Sequence, residues 1–164
     1  MRAASWLLLA VTAQPLGELV VARRNTQRLL ARGAREVAPE HYPAIVALHA
    51  AWLGGLWLSA WGRPVSRTGL LAYTGLEAFR AWTLASIGSR WTTRILIVPG
   101  ETLVRRGPYR FLPHPNYLVV AAEIATLPLV LGRPRYALAF SLLNAAVLSV
   151  RIRAEERGLR ENRA

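Results

Sequence analysis

Pro43-Ala-Ile-Val-Ala-Leu-His-Ala-Ala-Trp-Leu-Gly-Gly-Leu-Trp-Leu-Ser-Ala-Trp61 is a run with no charged side chain apart from the imidazole of His49. Apolar blocks approaching about 18 residues, with few charges, read as helices that cross a bilayer. Working outward, similar blocks run from Ser5 to Ala22, with Gln14, Pro15 and Glu18 inside, and from Gly69 to Gly88, with Glu77 and Arg80 inside. Two shorter ones, Tyr117 to Leu131 and Tyr136 to Val150, are split by Gly132-Arg133-Pro134-Arg135. At about 1.5 Å per residue neither covers the roughly 30 Å of hydrocarbon. They are expected to form a hairpin that extends past these limits or turns near the outer headgroups. The sequence thus predicts one domain of 164 residues, an all-α polytopic bundle of about five transmembrane spans.

Charge sets the expected orientation. The segment after the first block holds Arg23, Arg24, Arg28, Arg32 and Arg35. That before the fourth holds Arg90, Arg94, Arg105, Arg106 and Arg110, and the tail holds Arg151, Arg153, Arg157, Arg160 and Arg163. The opposite side has Arg2, Arg63, Arg67, Arg133 and Arg135. The positive-inside rule then predicts an outside N-terminus and a cytosolic C-terminus, with Trp6 and Trp61 at the outer interface and Trp91 at the inner one. The same distribution argues against nucleic acid as the partner of a net charge of +12, because the cations sit in short segments between apolar blocks. The N-terminal block lacks a small-residue cleavage pattern and is expected to remain as a span. No cysteine is present and the three histidines are isolated, so thiol chemistry and a metal cluster are not expected.

Chemistry is expected between Arg90 and Pro115. This longest polar stretch alternates Ile95, Ile97, Val98, Leu103 and Val104 with glycine and proline punctuation, the pattern of an ordered loop packed on something. His114-Pro115 suits the first turn of the fourth helix, whose free N–H groups would face a ligand's carboxylate or hydroxyl. Tyr109 and Tyr117 could wall an adenine. In the tail, Arg151 and Glu155 share a helix face. They read either as a solvated ion pair or as an anchor for an anionic substrate beside an acceptor of cofactor hydrogen bonds. Glu77 and Arg80, three apart, read most simply as an internal pair, and Glu123 as a group that could close the pocket from above. His41 and His49 read as structural, and Gln14 and Glu18 as facing other helices.

The motif Val104-x-x-Gly107-x-Tyr109…His114-Pro115-x-Tyr117 and the closing Arg151-x-x-x-Glu155-Glu156-x-x-Leu159 resemble the isoprenylcysteine carboxyl methyltransferase family of membrane-embedded, S-adenosylmethionine-dependent enzymes. The resemblance covers roughly Trp91 to Leu159. It implies that Glu101, Thr102, Leu103 and Val104, with Tyr109, His114, Pro115, Asn116, Tyr117 and Glu155, surround S-adenosylmethionine, and that Arg151 faces the substrate. Two positions depart from the usual pattern: Pro113 stands where Arg is common before His-Pro, and Glu101 where His is common. The stretch Trp91-Thr-Thr-Arg-Ile-Leu-Ile-Val-Pro-Gly100 is similar to bacterial members found beside type III polyketide synthases, which resemble alkylpyrone O-methyltransferases. That implies a bacterial inner-membrane enzyme acting from the cytosolic face. Its acceptor would be a lipophilic small molecule arriving through the membrane lipids, not a prenylated protein. A NAD(P)H-dependent lipid or sterol-type reductase can carry a similar His-Pro-Asn-Tyr segment. A non-catalytic subunit or transporter is the reading from another class, although a transporter would place its binding groups near the midplane.

Overall fold

The computed structural model describes residues 3–162. Arg2 and Arg163, used above in the charge comparison, lie outside them. Five helices follow in chain order: α1 (Ala3–Ala31), α2 (Tyr42–Ala60), α3 (Arg67–Ile87), α4 (Pro115–Val130) and α5 (Pro134–Glu161). The all-α bundle expected from the apolar blocks is the observed architecture. Three of the helices, at Ala3–Ala31, Pro39–Ala60 (which includes a short 3-10 turn) and Pro134–Glu161, are long and apolar enough to cross a membrane. α3 carries Glu77 and Arg80 within its apolar stretch, and α4 has 16 residues, about 24 Å of helix.

Two helices overrun the apolar blocks that announce them. α1 continues nine residues past Ala22, and α5 eleven past Val150. The physical reason is that Arg and Glu end a hydrophobic run without ending a helix, being good helix formers themselves. Pro15 does not break α1 either; helices in bilayers accommodate an interior proline by local adjustment. α5 is therefore one 28-residue rod of about 42 Å, and the presumed tail is its last turns.

The main core joins four helices. Leu8 and Val11 of α1, Trp52 and Leu56 of α2, Tyr73 of α3 and Ile124, Leu127 and Val130 of α4 are buried together. Within it the Trp52 indole donates to the Ile124 carbonyl at 3.3 Å, and Trp57 donates to Thr12 Oγ1 at 2.9 Å. The Tyr136 hydroxyl, donating to the Trp52 carbonyl at 2.7 Å, ties α5 to α2. It fits because position 55 is glycine: a Cβ there would stand 2.2 Å from that hydroxyl oxygen. Outward side chains such as Leu58, 92% exposed, and Leu71, 75% exposed, are apolar, as helices bathed in lipid require.

A polar network crosses the bundle and corrects one expectation. Arg80 does not pair with Glu77. Its guanidinium is gripped by Glu18 of α1 and by Glu123 of α4, the latter at 2.6 and 2.7 Å. Glu77 instead accepts from Gln14 at 2.9 Å. Glu18 and Glu123 lie 62 and 43 residues away in sequence, so no local spacing could reveal them. The expectation that Gln14 and Glu18 face other helices holds. His49 bonds within its own helix, to the Ile45 carbonyl at 2.8 Å.

Candidate functional site

The segment between α3 and α4 is ordered by three seats. Leu96–Ile97 (β2) pairs antiparallel with Arg35–Glu36 (β1), in the register Arg35 to Ile97 and Glu36 to Leu96. This small ribbon buries Ile95 and Ile97, the alternating residues noted in the sequence. It lies against Gly158 of α5, where a Cβ would come within 2.8 Å of Ile97 Cδ1 and 2.9 Å of Val37 Cγ2. At the other end Gly107 adopts φ +55° and packs on Ser86, whose Oγ would stand 1.9 Å from an added Cβ. Both the dihedral and the space demand glycine there. Arg106 donates to the Ser86 carbonyl at 2.7 Å beside it, and the 3-10 turn Gly107–Arg110 then brings Tyr109 inward.

These seats enclose a cleft of about 830 Å³ between the segment, the start of α4 and the end of α5. Ten of the eleven residues singled out in the sequence line it: Glu101, Thr102, Leu103, Val104, Tyr109, His114, Asn116, Tyr117, Arg151 and Glu155. Pro115 is buried in the first turn of α4, beneath the lining. His114 is the N-cap residue of α4 but its side chain does not cap the helix.

Arg151 and Glu155 are not the solvated ion pair that their spacing allows. Arg151 is 6% exposed, and Tyr117 stands between the two. Arg151 Nε donates to Tyr117 Oη at 3.2 Å, and that hydroxyl donates to Glu155 Oε2 at 2.5 Å. The other arm of the guanidinium, Nη2, donates to the Thr93 carbonyl at 2.6 Å. A helix-face pair can meet directly only if nothing larger intervenes, and here α4 inserts a phenol. His114 stacks on Tyr117 with ring centroids 5.5 Å apart, and its nitrogens lie 3.8 Å from Glu155 and 3.5 Å from Glu156. Burial, reinforced by the Glu155 carboxylate, pushes the Tyr109 phenol up to about 12. It therefore stays neutral at physiological pH, available as a ring face and a hydroxyl.

Glu101 is committed elsewhere. Its carboxylate pairs with Arg32 at the end of α1 and with Arg90 at 2.9 Å, while Arg90 also donates to the Thr102 carbonyl at 2.5 Å. Arg94 pairs with Glu36 at 2.8 Å and lies over the Tyr42 ring. The sequence reading gave no site role to Arg32, Arg90, Thr93 or Glu156. The cleft also has Arg105 and Arg160 on its wall, neither with an ion-pair partner among the described residues. No group of three or more His, Asp or Glu side chains able to hold a metal ion occurs among the described residues.

Residues 69–161 match the model of the isoprenylcysteine carboxyl methyltransferase family. The chain belongs to that family. Its matched region starts within α3 and contains every residue of the cleft singled out above, whereas α1 and α2 lie outside it. Membership implies a membrane methyltransferase, and members of this family generally use S-adenosylmethionine. The chain is also 39% identical to the uncharacterized protein YpbQ of Bacillus subtilis (strain 168), over 95% of its own length and 96% of that protein's. No solved structure matches.

Proposed function

We propose that the protein is an S-adenosylmethionine-dependent O-methyltransferase that methylates an acidic oxygen, a carboxylate or an enol, of a lipophilic small molecule. The observation that carries this reading is the Arg151–Tyr117–Glu155 chain: a buried cation and an anion facing one cleft, separated by a hydroxyl. The cleft's volume of about 830 Å³ lies within the range of small-molecule sites, roughly 300–1,000 Å³. Its groups suit the cofactor. Tyr109 offers a neutral ring for the adenine, Glu155 and Glu156 offer acceptors for hydroxyl and amino groups, and Arg105 and Arg160 can meet a carboxylate.

When bound, S-adenosylmethionine supplies an electrophilic methyl group on a sulfonium. The protein's task is then to bring an oxygen anion in line with that methyl and to keep water away. Arg151 holds the anion by charge and hydrogen bond, and cannot donate a proton to it because a guanidinium stays protonated. Its Thr93 contact fixes the plane of the guanidinium, and Tyr117 sets the distance to Glu155. No general base is required, since a carboxylate or acidic enol already carries its charge near neutral pH. We place the cleft on the cytosolic side of a bacterial plasma membrane, because its lining comes from the Arg-rich segment between α3 and α4 and the Arg-rich end of α5.

The test is calorimetric titration of the detergent-purified protein with S-adenosylmethionine and, separately, NADPH. Saturable binding of the first, abolished in His114→Ala, is the expected result. Binding of NADPH alone would replace the methyltransferase by a reductase.

A further inference from the structure

Arg151 meets its surroundings through three nitrogens, and two of them are taken. Nε donates to Tyr117 and Nη2 to the Thr93 carbonyl, which leaves Nη1 without a hydrogen bond among the described residues. A guanidinium is planar, so two fixed nitrogens determine where the third points. The direction of Nη1, the nitrogen left for a ligand, therefore rests on how firmly Thr93 holds its carbonyl.

Thr93 cannot hold it alone. It lies in the irregular stretch between the 3-10 turn Gly88–Arg90 and β2. Neither its amide nor its carbonyl has a backbone partner among the described residues. Support comes instead from residues 36–42, where β1 passes into α2. The Val37 amide donates to the Ile95 carbonyl at 2.9 Å, and Glu36 accepts from Arg94 at 2.8 Å. The Arg94 guanidinium lies 4.6 Å from the centre of the Tyr42 ring, and the Tyr42 hydroxyl meets Thr93 Oγ1 at 3.3 Å. Three consecutive residues, 93 to 95, are each gripped by one short segment. The path of that segment is strained. Ala38 has φ +49° and is the one residue other than glycine at positive φ among the described residues. A Cβ is disfavoured in this left-handed conformation, and such strain persists where the surroundings over-determine it. The contacts of Glu36 and Tyr42, on either side of Ala38, do so here.

These contacts lie behind the cleft wall. Thr92 and Arg94 line the cleft, whereas Thr93 and Tyr42 do not. Residues 36–42 also precede the family-matched region, residues 69–161. We infer that Tyr42 is a positioning residue for the reaction: acting through Thr93, it fixes the Arg151 guanidinium so that Nη1 stays aimed at the acceptor's anionic oxygen. The part that Arg151 plays in the reaction rests on the methyltransferase reading; the control of its orientation by Tyr42 does not.

The experiment reads the guanidinium directly, by nitrogen-15 NMR of the full chain in detergent micelles, with the Arg151 signals assigned by their loss in Arg151→Lys. Slow rotation about Nε–Cζ keeps the two Nη resonances apart. Tyr42→Phe keeps the ring beside Arg94 and removes only the hydroxyl. It is expected to speed their exchange about fivefold, the worth of one ordinary hydrogen bond. Thr93→Val should do the same, and the double variant should be no faster than either, since both remove one contact. Tyr136→Phe is the structural control. It removes the 2.7 Å hydrogen bond between α5 and α2, and should lower the melting midpoint while leaving the Arg151 signals unchanged. Transfer of tritiated methyl from S-adenosylmethionine into the native host's total lipid extract should fall about fivefold in Tyr42→Phe, with calorimetric cofactor affinity unchanged. Exchange unaltered by Tyr42→Phe, equal acceleration by Tyr136→Phe, or additive effects of the Tyr42 and Thr93 variants overturns the inference. Faster exchange with undiminished methyl transfer overturns the positioning role. If Tyr42 governs the exchange in a protein that does not bind S-adenosylmethionine, the methyltransferase reading fails and the coupling of Tyr42 to Arg151 stands.

Discussion

The molecule uses arginine twice, in opposite ways. Inside the bundle, Arg80 is consumed: two carboxylates from two other helices close on it directly, and its side chain is 13% exposed. In the cleft, Arg151 is buried too, at 6% exposed, but is met by a phenol and a carbonyl, with the nearest carboxylate one hydrogen bond further away. A guanidinium neutralised on the spot is a fastener. One that is fixed in place by neutral groups keeps its charge for something else. Local architecture around the two arginines, and not their burial, separates structure from chemistry.

Breaking the fastener should have the largest effect. Arg80→Met leaves Glu123 buried without a partner and Glu18 with Gln14 alone, and is expected to cost about 3–5 kcal/mol. A large fall in the thermal unfolding midpoint in detergent would register it, and an unchanged midpoint would contradict the assigned role. Arg151→Ala should do the reverse: turnover lower by about a hundredfold or more, the scale of a lost charge-stabilising donor, with S-adenosylmethionine affinity and melting nearly intact. Measuring kcat beside calorimetry separates these. Tyr117→Phe tests the spacer between the two charges. The contrast predicts a loss of about 1 kcal/mol in stability and a turnover loss of roughly tenfold, intermediate between the two arginines. Arg32→Gln should have the smallest effect, at most about 1 kcal/mol for a half-exposed pair. It is distinguished by salt: the wild-type advantage in cofactor affinity should shrink as ionic strength rises.

The helices were legible because apolar blocks of bilayer length have few other physical readings. Where they stop was less legible. The Arg-rich ends of α1 and α5 mark where hydrocarbon gives way to water, and that boundary need not coincide with the end of a helix. The cleft residues from Glu101 to Tyr117 could be picked out because turn-forming glycine and proline bracket them, and because they match a family pattern. Arg80 shows what remained hidden. Glu77 is its neighbour along the helix, yet its partners come from α1 and α4, and only packing decides which carboxylate reaches a guanidinium. Likewise Tyr117 inserts between Arg151 and Glu155 from a different helix, which helical spacing alone does not reveal. One signal was available and unused. Polar residues at 18, 25 and 32 recur every seventh position along α1 and into the turn that follows it, the mark of a face that meets partners along its length.

The rod α5 has a mechanical consequence. It runs about 42 Å without an interior proline, from Pro134 to Glu161, and carries Arg151 and Glu155 toward its far end, while its partner α4, which carries Tyr117, is only about 24 Å long. Two rods of unequal length in a bilayer do not respond equally when that bilayer thickens or thins. The long one changes tilt, the short one draws the lipid to itself. Any difference in tilt slides Arg151 and Glu155 past the phenol between them. The acyl-chain length of the host membrane is thereby a control on alignment at the cleft, acting through geometry and requiring no ligand.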